Sequence, residues 1–145
     1  MNINDEDRSG GIITCSAEFS KYLDKIAEQL FQGHFAPKRE AARFAMAIGI
    51  QKGLREKRSE WKKPNNQKNA TIAHLYGQFD DKGRFDFESL FDILELKEKD
   101  DDTPLQHLIS EYVTGGMRYI QENELDNLDE WTRMKDDFPH LFSED

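Results

Sequence analysis

Residues 37–53 read PKREAARFAMAIGIQKG, and this stretch sets the architecture expected for the whole chain. Pro37 suits the first turn of a helix, and Gly53 suits its end. Apolar side chains follow at helical spacing: Ala41, Phe44, Ala45 and Ile48. Small residues would let another backbone come close: Ala41, Ala42, Ala45, Ala47 and Gly49. The stretch therefore predicts a helix that packs tightly against a neighbour.

A second helix is predicted before this one. Phe19, Leu23, Ile26 and Leu30 repeat at helical spacing, with Ser16 as a candidate N-cap, and Gly33 suits the end of the helix. The preceding residues 12–15, IITC, favour a short β-strand.

Three further segments follow. Residues 71–79 fit either a helix or a strand. Residues 85–96 fit a helix with Phe87, Leu90, Phe91 and Leu94 turned inward. Residues 105–122 form the clearest helical pattern in this half, although the Gly115-Gly116 pair is expected to weaken or bend it.

These elements predict a mainly α fold, in which one compact helical domain carries a short N-terminal β-strand. The expected domain covers residues 12–124, basic over 12–68 and acidic over 69–124. Residues 1–11 are expected to be a mobile tail and residues 125–145 an acidic extension. The expected core contains Phe19, Leu23, Ile26, Leu30, Phe44, Ala45, Ile48, Leu90, Phe91, Leu94, Leu108, Tyr112 and Val113.

The composition limits the classes of protein. No apolar run of the 145 residues approaches the roughly 20 that cross a membrane, and the acidic N-terminus is unlike a signal peptide. Cys15 is the single cysteine, which excludes an internal disulfide and fits a cytoplasmic protein. Near a helix start its pKa could be lowered, but a small half-buried residue is the preferred interpretation.

No catalytic or cofactor motif is present. The histidines at 34, 74, 107 and 140 are far apart, so no pair has metal-ligand spacing. The sequence also lacks a phosphate-binding loop, a nucleophile elbow and a dinucleotide fingerprint. We therefore expect a protein without catalytic activity, metal or cofactor.

Charge divides the chain, whose net charge is −9. Residues 8–68 hold 13 Lys and Arg against 6 Asp and Glu, whereas residues 69–145 hold 7 against 20. This asymmetry indicates either an anionic partner for the first half or pairing between the two halves. Phosphate contacts, with Trp61 available for stacking, are one interpretation. The candidate DNA-binding residues are Lys38, Arg39, Arg43, Lys52, Arg55, Lys57, Arg58, Lys62 and Lys63.

Two family resemblances bear on function. Residues 12–54 resemble the ribbon-helix-helix pattern: a short strand, an amphipathic helix, a turn at Gly33 and a second helix from Pro37. This resemblance implies strands that pair across a dimer and enter the major groove of DNA. Ile12 and Thr14 would face the bases, with Lys38 and Arg39 at the backbone.

Residues 35–128 are similar to small proteins encoded beside DNA phosphorothioation (Dnd) systems of bacterial phage defence. The similarity is carried by Phe35, Lys38, Glu40, residues 44–49 (FAMAIG), residues 53–56 (GLRE) and residues 111–117 (EYVTGGM). It implies an accessory role near DNA-acting machinery and identifies no catalytic residue.

The leading hypothesis is a non-enzymatic accessory or adaptor protein of a bacterial DNA-modification or antiviral defence system. It would bind DNA or a DNA-acting protein complex through its basic half. One alternative is a ribbon-helix-helix homodimer that regulates transcription, and another is an inhibitor or immunity protein whose acidic half mimics nucleic acid. The sequence leaves open whether a homodimer forms.

Overall fold

A computed structural model describes residues 11–123, which form a mainly α fold with one two-stranded antiparallel sheet. The elements are β1 (Ile12–Cys15), α1 (Ser20–Phe31), α2 (Pro37–Lys52), β2 (Ala70–His74), α3 (Phe87–Ile93) and α4 (Leu105–Glu122). The predicted fold class is confirmed, including the N-terminal strand. The expected C-terminal extension and nearly all of the expected tail lie outside the described residues. No helix within residues 11–123 has the length and apolarity to span a bilayer.

The centre of the fold is the crossing of α2 and α4. A Cβ atom added to Gly49 of α2 would collide with the backbone carbonyl of Tyr112, and one added to Gly116 of α4 would collide with that of Ala45. Each helix therefore contributes a glycine at the point where the other backbone passes. The close approach expected from the small residues of α2 is confirmed.

Helix α4 continues through the Gly115-Gly116 pair, from Leu105 to Glu122. Both glycines face backbone: a Cβ on Gly115 would meet the carbonyl of Leu54 in the segment after α2. Their missing side chains make room for a neighbouring chain segment, and tertiary packing offsets their low helix propensity.

The sheet pairs a strand at the start of the basic half with a strand at the start of the acidic half. Ile12 lies opposite His74 and Cys15 opposite Ala70, with one extra residue, Ile72, accommodated in β2. The ambiguous residues 71–79 thus divide into a strand and a tight turn. This strand, β2, pairs with β1 of the same chain.

The second edge of β1 rests on α4. The Thr14 amide donates to the hydroxyl of Ser110 at 2.9 Å, and the Ser16 amide donates to that of Thr114 at 3.2 Å. Ser110 and Thr114 are one helical turn apart, so their hydroxyls follow the direction of the strand. Both edges of β1 are therefore occupied within the protein.

One core surrounds these elements. Eleven of the expected core residues are buried: Phe19, Leu23, Ile26, Leu30, Phe44, Ala45, Ile48, Phe91, Leu108, Tyr112 and Val113. Leu90 is half-buried, and the prediction for Leu94 is wrong because its side chain is 46% exposed. Helix α3 ends at Ile93, so Leu94 caps a two-turn helix that turns only Phe87 and Phe91 fully inward.

Candidate nucleic-acid interface

Helix α2 separates the candidate DNA-binding residues into two groups. Its 16 residues make it about 24 Å long. Lys38 and Arg39 lie in its first turn and Arg43 one turn later, whereas Lys52 lies in the last turn and the others follow the helix. The basic block that is continuous in sequence is therefore two separate groups in space.

Arg43, in the first group, is 5% exposed and used internally. Its Nε donates to the carbonyl of Phe79 at 3.0 Å, and its guanidinium lies over the rings of Phe79 and Phe85. It also forms an ion pair with Glu40, one turn earlier on α2. These contacts leave Arg43 unavailable to a phosphate, so we omit it from the candidate interface.

Lys38 and Arg39 are half-buried and partly engaged. Arg39 Nη1 donates to the carbonyl of Gln78 at 2.9 Å, and Lys38 Nζ lies 3.9 Å from a carboxylate oxygen of Asp24 on α1. Each side chain already faces an electronegative group. Their net attraction for phosphate is correspondingly reduced.

Arg55 pairs with the acidic half. Its guanidinium donates to Glu111 at 2.6 Å, to Asp101 at 2.8 Å and to the Thr103 hydroxyl at 3.1 Å. The hydroxyl and amide of Thr103, together with Arg55, hold the pKa of Asp101 well below its usual range. Arg55 therefore follows one of the two interpretations of the charge asymmetry, in which basic residues of the first half pair with acidic residues of the second.

Several hydrogen bonds hold the first part of the segment after α2. The buried Glu111 carboxylate also accepts from the Arg58 amide at 3.1 Å. Trp61 is buried and donates its indole N–H to the Glu56 carbonyl at 2.7 Å, while the Glu56 carboxylate accepts from Arg118. Trp61 is therefore an anchor of this segment, and its buried ring is not available to stack on a base.

Five basic side chains project from this anchored segment, which we call the basic loop (residues 57–68): Lys57, Arg58, Lys62, Lys63 and Lys68. All are exposed, and none forms an ion pair with any residue between 11 and 123. Glu60 is the single acidic residue of the loop. The basic loop thus concentrates positive charge that no carboxylate among residues 11–123 neutralises, with the Arg58 guanidinium 5.9 Å from the centroid of the Trp61 ring.

Lys68 belongs to this surface but was not among the candidates. The same polar run that contains Lys62 and Lys63 continues to it without an apolar interruption, and that continuity was the available signal. Lys52 is also exposed, with its ammonium over the ring of Tyr119 at 5.4 Å.

Cys15 has no reactive character. Its side chain is fully buried, and this burial raises its pKa to about 12. Across residues 11–123 there is also no group of three His, Cys, Asp or Glu side chains that could hold a metal ion. The described part of the chain therefore presents its basic loop as the most distinctive chemical feature of its surface.

The function of this protein has to be inferred from the chemistry of these residues. No protein-family model, no curated protein and no solved structure matches the chain.

Proposed function

We propose that this protein is a non-enzymatic accessory protein that binds the phosphate backbone of DNA through its basic loop. The observation that carries the proposal is the set of five exposed basic side chains on residues 57–68, none of which forms an ion pair with a residue between 11 and 123. Lys and Arg side chains without a carboxylate partner release counterions from DNA when they contact phosphates, and this release supplies most of the non-specific affinity for DNA.

The expected mode of binding is independent of base sequence. The loop offers ammonium and guanidinium groups, and its one aromatic residue, Trp61, is buried. Phosphate contacts position a protein on a duplex without reading its bases. Such a protein suits an adaptor that holds other machinery on DNA. Its placement in a bacterial DNA-modification or defence system rests on the sequence resemblance alone.

The ribbon-helix-helix regulator is a weaker candidate. That fold needs the first strand to pair with the same strand of a second copy. Here β1 already pairs with β2, and amides on its other edge donate to the hydroxyls of Ser110 and Thr114. A dimer of that kind would have to break one of these two sets of contacts.

The direct test is a titration of the full chain against labelled duplex DNA at several salt concentrations. Five phosphate contacts would give a slope of log K against log salt of about −4.5, since each contributes about −0.9. A slope between about −2 and −4.5, with little dependence on base sequence, is the expected result. Absence of binding at low salt would overturn the proposal and redirect attention to a protein partner, including a basic one for the acidic half.

A further inference from the structure

An open cleft of about 820 Å³ lies at the end of α2 remote from the basic loop. One wall is the connection between α1 and α2 at residues 32–36, and the other is the segment from Gly77 to Phe85. Its volume falls in the range of small-molecule sites. No residue of the basic loop lines it.

The cleft is positively charged. Arg39, Arg43, Lys82 and Arg84 line it, against Glu40 and Asp81. Two of these cations are neutralised by ion pairs, Arg43 with Glu40 and Arg84 with Asp81 at 3.2 Å. Arg39 and Lys82 form no ion pair with another residue between 11 and 123, and Lys82 is exposed. An anion in the cleft would therefore meet two cations without a carboxylate partner among these residues, although Arg39 also donates to the Gln78 carbonyl.

Aromatic rings stand on both walls. Phe35 is 97% exposed, which is unusual for so large an apolar side chain, and the Arg39 guanidinium lies 5.9 Å from its ring centroid. On the opposite wall the half-buried ring of Phe85 lies over the Arg43 guanidinium at 5.0 Å. A planar aromatic ligand would remove the exposed face of Phe35 from water.

The floor of the cleft also holds an unused acceptor. Oε2 of Glu40 is buried and accepts no hydrogen bond from a residue between 11 and 123, and Nδ1 of His34 lies 3.7 Å from it. A buried carboxylate oxygen without a donor is costly. The N–H groups on the edge of a nucleobase are donors of the kind it lacks.

We propose that this cleft binds a nucleotide, with the base against Phe35 and the phosphate at Arg39 and Lys82. Aromatic walls, two cations without an ion-pair partner among residues 11–123 and a carboxylate acceptor together match an aromatic anion that carries N–H donors. Inorganic phosphate would use only the cations, and an acidic peptide would leave Phe35 exposed. The proposal does not depend on DNA binding by the basic loop.

The test is calorimetric titration of the full chain with AMP, GMP, CMP and UMP, beside inorganic phosphate and the four nucleosides. Saturable binding of at least one nucleotide, tighter than its nucleoside and tighter than phosphate, is expected. Absence of saturable binding of all four nucleotides at millimolar concentration overturns the proposal, as does phosphate binding of equal affinity. Binding of an acidic peptide without nucleotide binding has the same meaning.

Variants locate the site. Phe35→Ala should weaken nucleotide binding at least about five-fold, the lower end for loss of one base–aromatic stack. Because Phe35 is almost fully exposed, this change should leave folding intact. Ile93→Ala, another exposed apolar position outside the cleft, is the matched control and should bind normally. Equal affinities for Phe35→Ala and the control would place the ligand elsewhere and overturn the assignment.

A second pair of variants separates this proposal from the function of the basic loop. Lys82→Gln should weaken nucleotide binding while leaving nucleoside binding unchanged. Replacing Lys57, Lys62 and Lys63 by Gln should leave nucleotide affinity unchanged whatever it does to DNA binding. A loss of nucleotide binding in that triple variant would show that phosphate attraction by the basic loop, and not the cleft, is responsible.

Discussion

Gly116 of α4 lies against the backbone carbonyl of Ala45 in α2, nearer than any side chain at that position would permit. Gly49 of α2 lies in the same way against the carbonyl of Tyr112. The two contacts are reciprocal and fix how deeply the helices approach each other. The sheet, the loop after α2 and the cleft all depend on that approach, because each is built on one of these helices.

Replacing Gly116 by Ala should destabilise the protein by about 1–3 kcal/mol or more, because a backbone carbonyl cannot rotate away from the new methyl group. If the glycine only weakened the helix, the same change would instead stabilise it by about 1 kcal/mol. Urea unfolding followed by circular dichroism distinguishes the two by sign. Gly53→Ala is the control, since nothing lies within 4 Å of its Cβ position and only its positive φ is strained. Its cost should stay near 1 kcal/mol.

Replacing only one member of the Arg43–Glu40 pair should strongly destabilise the protein. Arg43→Met leaves a buried carboxylate without its partner and should cost about 3–5 kcal/mol at neutral pH. The double variant Glu40→Gln, Arg43→Met should be less destabilised than the single one. Denaturant unfolding of the wild type, Glu40→Gln, Arg43→Met and the double variant gives their unfolding free energies, from which the coupling free energy follows.

The cost of Arg43→Met should also depend on pH. Burial raises the pKa of Glu40 and Arg43 opposes that rise, so the pKa should rise further in the variant. A carboxyl group whose pKa is higher in the folded than in the unfolded protein destabilises the fold most at a pH above its folded pKa. This destabilisation decreases as the pH falls through the folded pKa. The destabilisation should therefore be smaller at about pH 5 than at about pH 8. A cost that does not change with pH, or one that grows on acidification, would contradict this account.

Thr114 lies along the edge of β1 that does not pair with β2. Its hydroxyl accepts from the Ser16 amide and lies 3.8 Å from Sγ of Cys15. Thr114→Val keeps the shape but leaves the buried amide unsatisfied, so a loss of about 1–3 kcal/mol is expected. Thr71→Val, at an exposed position of β2, should change the unfolding free energy by less than about 0.5 kcal/mol. Similar losses for both variants would show that the hydroxyl contact does not matter.

Cys15 should not react with thiol reagents in the native protein. Its burial and a pKa of about 12 keep the thiol protonated and out of reach. A disulfide reagent at about pH 8 should react with it only as fast as the protein opens, and at once in denaturant. Rapid labelling without denaturant would show that β1 separates readily from α4.

Features encoded over short distances were predictable from the sequence. The stripe of small residues on α2, the apolar spacing of α1 and the charge of the basic loop are all visible within single segments. The wrong prediction for Leu94 depends on where a helix ends, and the role of the Gly115-Gly116 pair depends on packing that a sequence does not show. Leu94 is exposed because α3 stops one residue before it, and Gly115-Gly116 meet backbone from other segments.

The fate of individual cations could not be predicted for a related reason. Arg55 pairs with Asp101 and Glu111, which lie 46 and 56 positions away, and Arg43 is covered by the segment around Phe79. A sequence shows that such charges exist and does not show which of them meet. The cleft beside Phe35 was missed because its two walls come from separate parts of the chain.

The most direct test of the central claim compares DNA binding by two matched triple variants. One replaces Lys57, Lys62 and Lys63 of the basic loop by Gln, and the other replaces the exposed Lys21, Lys97 and Lys99. Both remove three positive charges, so a difference reflects position and not net charge. The account predicts that the loop variant loses about 0.9 of salt slope per contact removed, with a large loss of affinity, while the control keeps nearly all of both. Equal losses in the two variants, or none in the loop variant, would contradict a DNA-binding role for the basic loop.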